Sequence, residues 1–392
     1  MTPVGGNRQG RLPRWVEGCI GVMHWQYYPI PWVVTPFARY PMRSLESAFL
    51  DRLTLMPSHG STLRALGEHR GEQELFRQQT PEALETLRTV ALVESIESSN
   101  RLEGVVAAPD RLRDVVLRDA TPAGRSEQEI AGYRDGLALI HESSDHMPVS
   151  VNVIQQLHSM LYRYQPGSGG RWKSTRNDIV ERAADGSIVR VRFRPVSPVA
   201  TPGAMRDLVG NWDRAVDQQR EPLLVIPLAV LDFLCIHPFA DGNGRTARLL
   251  TLLLLYRSGY AVGRYISLER VIEESRETYY EALEASSQGW HEGRHDPFPW
   301  LEYFWGVLLR AYGEFRERAG RLTKTRGSKT ALIEGAVERR MRPFAISEIE
   351  NDCPGVSRDM IRHVLRRLRD EGRLQVRGRG RGAKWEVIQD RT

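Results

Sequence analysis

The stretch His237-Pro-Phe-Ala-Asp-Gly-Asn-Gly-Arg-Thr-Ala-Arg248 decides how the rest of the chain is organised. It lies between two apolar runs, residues 223–236 and 249–256, each of which predicts a buried helix. Gly242 and Gly244 allow the turn between them to adopt positive φ angles and allow a ligand to approach the backbone. The sequence therefore predicts a helix, a tight turn and the start of a second helix.

The residue types in this loop are those of a site for a nucleotide phosphate. Backbone N–H groups at the start of the second helix form an anion cradle, and Arg245 and Arg248 share one side of that helix. Asp241 cannot bind a phosphate directly, so we expect a Mg²⁺ ion between the two. The ordinary pKa of a histidine suits His237 to accept a proton near neutral pH. The alternative is a glycine-rich turn with a capping aspartate and surface arginines.

The loop also resembles the signature of the Fic family, His-Pro-Phe-x-(Asp/Glu)-Gly-Asn-Gly-Arg-x-x-Arg, without a departure. Members of this family typically transfer AMP from ATP to a hydroxyl of a target protein. The resemblance implies that His237 deprotonates that hydroxyl and that Asp241 holds Mg²⁺ between the α- and β-phosphates. The other loop residues are then assigned to the nucleotide: Gly242, Asn243 and Gly244 to its phosphates, Arg245 and Arg248 to the β/γ end, with Thr246 and Ala247 between them. The related Doc branch, which phosphorylates its target, usually has a basic residue in place of Gly244, so this glycine favours AMP transfer.

A second motif, Ser99-Asn-Arg-Leu-Glu103-Gly104, lies more than a hundred residues upstream. Taken alone it predicts a helix end with a glycine stop and an exposed glutamate. It also resembles the inhibitory motif of Fic proteins, (Ser/Thr)-x-x-x-Glu-(Gly/Asn), which implies that Glu103 pairs with Arg248. An arginine–carboxylate pair is a strong contact, and it would occupy the guanidinium that binds the γ-phosphate. Some such enzymes use this glutamate to activate water and remove AMP, and that alternative stays open.

Two other elements are predicted to contact substrates. Residues 177–194 alternate around the turn signal Asp185-Gly186 and predict a β-hairpin. In the Fic family the equivalent hairpin is the flap, and the resemblance implies that a target protein with a Ser, Thr or Tyr hydroxyl adds a strand to it. Tyr279 and Tyr280 lie on a helix predicted over 268–286. They are either core residues or, as the resemblance implies, neighbours of the adenine ring.

The C-terminal tail carries most of the net charge. Residues 328–392 contain 15 Lys/Arg and 10 Asp/Glu, a balance of +5 within a chain total of +6. Three predicted helices followed by a basic hairpin resemble a winged-helix domain. A DNA-binding interpretation assigns six arginines to the major groove, the minor groove or the phosphates: Arg358, Arg362 and Arg366 on the third helix and Arg377, Arg379 and Arg381 in the wing. The alternative is a protein-interaction or dimerisation module.

The composition is typical of a soluble globular chain, with 41% hydrophobic and 27% charged residues. Three widely spaced cysteines indicate a reducing compartment, and no apolar run approaches the roughly 20 residues that span a bilayer. We therefore expect a cytoplasmic protein. Residues 1–41 contain six prolines and no clear period, and we expect them to be disordered or to precede a start at Met42.

The predicted architecture is mainly α, a Fic-fold helical domain with a β-hairpin flap and a C-terminal winged-helix (α+β) domain. Its parts are an N-terminal helical region over 42–110, a catalytic domain over 111–318, a linker over 319–328 and the winged helix over 329–392. Within the first part, the polar stretch 58–71 predicts a linker-like segment. The leading hypothesis is a protein adenylyltransferase that uses Mg·ATP, modifies a target or itself, and is autoinhibited by Glu103. The rivals are an enzyme that removes AMP and a nucleotide-sensing, DNA-binding transcriptional regulator. A homodimer is expected by analogy.

Overall fold

A computed structural model describes residues 44–79, 81–165, 167, 169–183, 185–323, 328–340, 342–353, 356–378 and 384–388. The predicted extension over 1–41, the alternative start at Met42 and the arginines Arg379 and Arg381 lie outside these ranges. The described residues are mostly helical, which confirms the mainly α class. Among them, no helix combines the length and apolar character needed to cross a membrane.

Helices and one hairpin are the main elements of the described residues up to 323. The elements are α1 (Ser47–Leu50), α2 (Pro57–Gln79), α3 (Pro81–Leu102), α4 (Pro109–Leu117), α5 (Arg125–Ser143), α6 (Val151–Leu161), β1 (Ile179–Arg182), β2 (Ile188–Phe193), α7 (Thr201–Asp217), α8 (Pro222–Ile236), α9 (Asn243–Arg257), α10 (Leu268–Glu274), α11 (Arg276–Ser287) and α12 (Phe298–Thr323). The strands β1 and β2 pair antiparallel, with Val180 opposite Val191. This confirms the hairpin predicted over 177–194.

The centre of the fold is the pair α8 and α9, whose residues are buried almost throughout. Pro222 starts α8 at a position where its missing N–H has no helical partner, and the Glu221 side chain accepts a hydrogen bond from the Leu223 N–H. Other helices pack around this pair, so both ends of the connecting loop are held by the hydrophobic core. The loop predicted to carry the chemistry therefore joins the two most buried helices.

The prediction of a linker-like segment over 58–71 is wrong, because these residues belong to α2. The helix packs against α12, and its Leu66 is fully buried. His59 lies 2.9 Å from the Glu302 carboxylate, and the Gln73 side chain accepts a hydrogen bond from Ala261 N–H. Buried polar groups with such partners stabilise a helix that has too few apolar residues to be recognised by its pattern.

The C-terminal elements form a second, smaller cluster of buried apolar residues. They are α13 (Ser328–Glu338), α14 (Ile346–Asp352), α15 (Arg358–Asp370), β3 (Leu374–Arg377) and β4 (Lys384–Val387), with the two strands antiparallel. The order of three helices and a hairpin is as predicted, while the winged-helix class and the domain boundaries remain predictions. The linker predicted over 319–328 is corrected at both ends, because α12 extends to Thr323 and α13 begins at Ser328; residues 324–327 lie outside the described ranges.

Candidate active site

A mostly apolar pocket lies where α3, α8, α9, α11 and the hairpin meet. It brings together six of the residues predicted from the sequence: Glu103, His237, Gly244, Arg248, Tyr279 and Tyr280. The hairpin contributes Ile179, Arg192 and Phe193 to the same pocket. Residues that are far apart in the sequence therefore share one concave site, as expected for a ligand-binding pocket.

His237 is the residue at which α8 ends, and its backbone is left-handed with φ 50° and ψ 60°. Its ring Nδ1 lies 3.3 Å from the Leu234 carbonyl oxygen, which can only accept a hydrogen bond. We infer that Nδ1 carries the proton and that Nε2 is the unprotonated nitrogen. Burial, assisted by the nearby Lys173 ammonium, lowers the pKa of His237 to about 3. The imidazole is therefore neutral at physiological pH and has the electronic form of a general base.

The loop after His237 rests on His158, a residue that the sequence did not single out. Phe239 stacks on the His158 ring, with centroids 3.7 Å apart and an angle of 10°. His158 Nδ1 accepts the Gly170 N–H at 2.7 Å, so Nε2 carries the proton and donates to the Asp241 carbonyl oxygen at 2.9 Å. Both ring nitrogens are thus used to fix the loop. His158 occupies an ordinary core position on the apolar face of α6, so its pattern gave no signal of this contact.

The side chain of Asn243 holds the loop together, while its assignment to the phosphates stays a prediction. Its Oδ1 accepts the Phe239 N–H at 2.9 Å, and its Nδ2 donates to the Phe239 carbonyl oxygen at 2.8 Å. The residue is only 2% exposed. Because both ends of the amide are bonded to one backbone unit, the side chain of Asn243 shapes the turn instead of lining the pocket.

Arg245 is paired with carboxylates in this structure, and its role at the β/γ end of the nucleotide stays a prediction. Its guanidinium is 2% exposed and donates to the Glu129 carboxylate on α5 at 2.6 Å, while the Asp241 carboxylate lies 4.0 Å away. Burial lowers the pKa of Arg245, but the surrounding negative groups outweigh burial and raise it overall. The structure thus places this arginine in a buried ion pair beside the loop.

Thr246 and Ala247 are buried residues of α9, and their assignment to the nucleotide stays a prediction. Both the N–H and the hydroxyl of Thr246 donate to the Gly242 carbonyl oxygen at 2.9 Å. Ala247 is 1% exposed and lines a separate cavity between α9, α10 and α12. Both residues lie in the first turns of α9, close to the anion cradle, but their side chains pack into the core.

Arg248 is the arginine of α9 that reaches the pocket, and residues of α3 hold its guanidinium. Nη2 donates to Glu103 Oε1 at 2.7 Å and to the Ser99 carbonyl oxygen at 2.9 Å, and Nε donates to Ser99 Oγ at 2.8 Å. Burial lowers the pKa of Arg248, but the Glu103 carboxylate outweighs burial and raises it well above its ordinary value. The predicted contact between Glu103 and Arg248 is present in the structure, and Gly104 follows it with φ 76°, as a helix-terminating glycine does.

Gly244 faces the same carboxylate at very short range. A Cβ atom at this position would lie 2.2 Å from Glu103 Oε1 and 3.3 Å from Arg248 Nη1. Real Cβ atoms do not approach an oxygen so closely, because the overlap is strongly repulsive. The space beside the first turn of α9 therefore admits the Glu103 carboxylate only because residue 244 has no side chain.

The aromatic and charged walls of the pocket come from α11 and the hairpin. Tyr279 is 4% exposed and packs edge-on against Tyr280, with ring centroids 5.1 Å apart. Glu284 on the same helix pairs with Arg190 at 2.9 Å and Arg192 at 3.2 Å, both on β2. These ion pairs fasten the hairpin to α11 across the pocket.

Asp241 is the residue that could hold Mg²⁺. Its carboxylate is 40% exposed, and one oxygen accepts a 2.7 Å hydrogen bond from the Gly242 N–H. Within the described ranges, no group of three or more His, Cys, Asp or Glu side chains is arranged to hold a metal ion. One accessible carboxylate still fits Mg²⁺, which usually binds proteins through one or two carboxylates together with waters and substrate phosphates.

The predicted DNA-contacting arginines lie on the C-terminal elements, and most of those described are paired with acidic residues. Arg358 lies 2.9 Å from Glu350, Arg362 lies 3.2 Å from Asp359, and Arg377 on β3 lies 2.5 Å from Glu386. Arg366 is exposed on α15. These ion pairs neutralise part of the positive charge on which the DNA interpretation depends.

Comparison with known proteins agrees with the fold and the loop. Residues 148–255 match the family model described as Fic/DOC family. The chain is 28% identical over 169 residues to protein adenylyltransferase fic-1 of Caenorhabditis elegans, covering 42% of this chain and 30% of that protein. It is 26% identical over 208 residues to protein adenylyltransferase Fic of Nematostella vectensis, covering 51% of this chain and 44% of that protein. The chain thus aligns with less than half the length of these relatives.

The fold is also that of a solved Fic family protein from Desulfovibrio desulfuricans G20. The TM-score is 0.56 at 19% sequence identity, and the match covers 87% of this chain and 98% of the other. The helical fold is thus shared with a solved Fic family protein, and residues 148–255, which include the loop between α8 and α9, match the Fic/DOC family model.

Proposed function

We propose that this chain is an autoinhibited protein adenylyltransferase, which transfers AMP from ATP to a Ser, Thr or Tyr hydroxyl of a target protein. The observation that carries the proposal is the shared pocket, in which the neutral imidazole of His237 lies with Gly244 and Arg248 from the start of α9. The names of the relatives, which are protein adenylyltransferases, support AMP transfer as the type of reaction.

The transfer needs one proton acceptor and a site for the phosphates. The target hydroxyl oxygen forms a bond to the α-phosphorus, the bond from that phosphorus to the bridging oxygen of the β-phosphate breaks, and pyrophosphate leaves. The hydroxyl proton passes to His237 Nε2. Backbone N–H groups of the first turn of α9 offer an anion cradle with a positive helix end. A Mg²⁺ ion held by Asp241 would supply positive charge to the phosphates.

The apolar part of the pocket suits the adenosine end of ATP. Leu234 and Leu283 line it together with Tyr279 and Tyr280, and aromatic and aliphatic side chains favour a flat base. Ser287, which also lines the pocket, donates its hydroxyl to the Glu284 carbonyl oxygen at 2.9 Å. The pocket thus has an apolar end that suits adenine and a charged end at Arg248 that suits the phosphates.

Autoinhibition is proposed from the contact between Glu103 and Arg248. The Glu103 carboxylate is bonded to the Arg248 guanidinium, which would otherwise bind the γ-phosphate. It also lies beside Gly244, in the first turn of α9 where the anion cradle is. The negative charge of the Glu103 carboxylate at this point repels the negative phosphates of ATP. ATP would then bind in a pose in which the α-phosphate is not presented to the attacking hydroxyl.

The hairpin is the proposed docking element for the target. Val189 on β2 is 60% exposed and Ile188 is 49% exposed, so the strand presents apolar side chains to solvent beside the pocket. Backbone pairing with such a strand tolerates varied target sequences. The ion pair between Arg192 and Glu284 keeps this strand beside His237 while a target segment pairs with it.

The proposal is tested by following which phosphate of ATP reaches protein. The Glu103→Gly variant is incubated with Mg²⁺ and ATP that carries the label either at the α- or at the γ-phosphate, alone and with a cell lysate. We expect label from α-labelled ATP in the protein bands and none from γ-labelled ATP. The reverse pattern would identify phosphoryl transfer, and absence of both labels would overturn the proposal.

AMP removal is a second candidate, because Glu103 lines the same pocket as His237. In this scheme Glu103 takes a proton from a water molecule whose oxygen forms a bond to the phosphorus of the AMP group. The bond from that phosphorus to the side-chain oxygen breaks, AMP leaves, and the side-chain oxygen takes up a proton to restore the hydroxyl. AMP-modified protein made with Glu103→Gly is the substrate, and the wild type is compared with Glu103→Gln. Loss of AMP with the wild type alone would favour removal, and its persistence with both would favour inhibition.

The role of the C-terminal domain is proposed separately, as DNA binding through Arg358, Arg362 and Arg366 on α15. Phosphate contacts release counterions, so affinity for a DNA duplex should fall steeply as salt is raised. The triple change of these arginines to Gln should remove most of that salt dependence. Binding that is absent at low salt would favour the alternative, a module for protein interaction or homodimerisation.

A further inference from the structure

Four consecutive carbonyl groups, that of the last residue of α8 and those of the three loop residues after it, are all bonded by one short segment that precedes the hairpin. Each of them accepts a hydrogen bond from Lys173 or Asn177. The bonds are Lys173 Nζ to Ile236 O at 3.0 Å, Asn177 Nδ2 to His237 O at 3.1 Å, Lys173 N to Pro238 O at 2.9 Å and Asn177 Nδ2 to Phe239 O at 2.9 Å. The Ile236 carbonyl at the end of α8 has no partner within the helix, and the next three carbonyls lie in a buried loop, so this segment supplies the hydrogen bonds that all four need.

The segment also stabilises an unfavourable backbone conformation. His237 is not glycine, yet its φ is 50°, and a residue in this region costs on the order of 1–3 kcal/mol unless its surroundings impose it. Asn177 uses both N–H groups of its amide for the carbonyls on either side of Pro238, and its Oδ1 accepts the Lys173 ammonium at 2.8 Å. The two side chains therefore act as one clamp on the residue proposed as the base.

Lys173 brings a buried charge to this clamp. The residue is 3% exposed, and both hydrogen-bond partners of its ammonium are uncharged oxygens. Burial lowers the pKa of Lys173 to about 7, against a smaller opposing effect of Asp178. The ammonium is thus charged throughout the acidic range in which an imidazole titrates.

Other charged groups that line the pocket around His237 occur as opposite pairs. Glu103 on α3 is paired with Arg248 on α9, and Glu284 on α11 is paired with Arg192 on the hairpin. Such pairs largely cancel at the distance of the imidazole, whereas the Lys173 ammonium does not have a carboxylate as a hydrogen-bond partner. Tyr279, Tyr280 and Cys235 complete the titratable groups of the pocket.

We propose that Lys173 and Asn177 are positioning residues for the transfer, which hold His237 in its left-handed conformation, and that the Lys173 charge adds to burial in disfavouring protonation of its imidazole. This inference rests on the proposed function, because it assigns His237 the role of base. Asn177 lies two residues before β1, so the clamp also connects the hairpin that would dock the target with the loop that carries the base.

The experiment separates charge from hydrogen bonding in the Glu103→Gly background. Lys173→Gln keeps N–H donors without the charge, Lys173→Arg keeps both, and Asn177→Ala removes the carbonyl contacts without changing charge. AMP transfer is measured as a function of pH at saturating and limiting Mg·ATP. In parallel, the imidazole NMR signal of His237, assigned by its loss in His237→Ala, is titrated in each protein.

Lys173→Gln should raise the midpoint of the His237 titration and of the acid limb of the pH profile by about one pH unit, because a nearby positive charge has been removed. Lys173→Arg should leave both near the parent values. Asn177→Ala should lower kcat roughly tenfold at an unchanged midpoint, with little change in KM for ATP. A uniform loss of rate in Lys173→Gln, with neither midpoint moved, would overturn the proposal. If the Glu103→Gly parent transfers no AMP, the proposed function fails, and the NMR titration still decides the role of Lys173.

Discussion

Arg248 on α9 and Glu103 at the end of α3 form a buried ion pair, in which Nη2 donates to Oε1 over 2.7 Å. The same guanidinium also donates to the side chain and to the carbonyl oxygen of Ser99. The helix that ends in the predicted inhibitory motif is thereby fastened to the helix that follows the proposed catalytic loop. Release of this contact is the event on which the proposed regulation depends.

Ser99→Ala should weaken this contact without removing the carboxylate. The substitution deletes the 2.8 Å bond from Arg248 Nε, and a bond to a charged group contributes on the order of 1 kcal/mol or more. We expect AMP transfer to become roughly fivefold faster than in the wild type, and slower than in Glu103→Gly. The measurement is incorporation of label from α-labelled ATP.

Ser95→Ala is the matched control for that substitution. Ser95 is also buried on α3, one turn earlier, and within the described residues its hydroxyl has no hydrogen-bond partner. Its loss should leave the rate unchanged. An equal acceleration by both substitutions would show that loosening α3, and not releasing Arg248, increases activity.

Gly244→Ala should destabilise the wild type and spare the Glu103→Gly variant. The new Cβ atom would overlap the Glu103 carboxylate, which must move and give up part of its contact with Arg248, at a cost of about 1 kcal/mol. Without the carboxylate, alanine in the first turn of α9 should be neutral or stabilise by up to about 1 kcal/mol. Urea unfolding of the four proteins measures the difference. Equal effects in both backgrounds would contradict the close packing of residues 244 and 103.

The loop between α8 and α9 was predictable because its proposed function requires particular residue types within twelve positions. Two glycines between apolar runs predicted the turn, and a histidine with an aspartate and two arginines predicted the chemistry. Which of these side chains enter the pocket could not be read from the sequence. Arg245 and Arg248 lie three residues apart on one helix, yet the first pairs with Glu129 on α5 and the second reaches the pocket. That difference depends on packing with helices that are distant in sequence.

The clamp and α2 escaped prediction for the same reason. Lys173 and Asn177 lie in a polar stretch without periodicity, and their importance comes from carbonyl groups more than sixty residues away. The helix α2 contains three glycines and few apolar residues, and its stability depends on the partners that α12 provides for His59 and Gln73. Interactions of this kind are long-range and polar, whereas hydrophobic periodicity reports mainly burial of apolar faces.

Stability should decrease on acidification in part through His141. Burial, with Arg264 and Arg88 nearby, lowers the pKa of His141 to about 3, whereas an unfolded histidine titrates near 6.5. Between these values the unfolded chain binds the extra proton, so stability falls as pH falls, by up to about 1.4 kcal/mol per pH unit. His141→Phe should lower stability at neutral pH, because it loses the contact with Tyr256, but its stability should change less from pH 6.5 to pH 4.

Thermal or urea unfolding at several pH values measures this slope. The other buried histidines and the buried Asp232 are common to both proteins, so the difference between them isolates His141. His146→Gln, at an exposed position just after α5, controls for the loss of one histidine. Parallel curves for the wild type and His141→Phe would contradict the assignment.

The most direct test of the account is the rate of AMP incorporation by the wild type, by Glu103→Gly and by Glu103→Gly/His237→Ala, followed by intact-mass analysis with Mg·ATP. The account predicts that Glu103→Gly is faster than the wild type by a factor of about ten or more, because Arg248 is released from a buried charged contact. It also predicts that the double change abolishes incorporation, because no base remains. A Glu103→Gly protein that is no faster than the wild type, or a double variant that is as fast as Glu103→Gly, would contradict the roles assigned to these two residues.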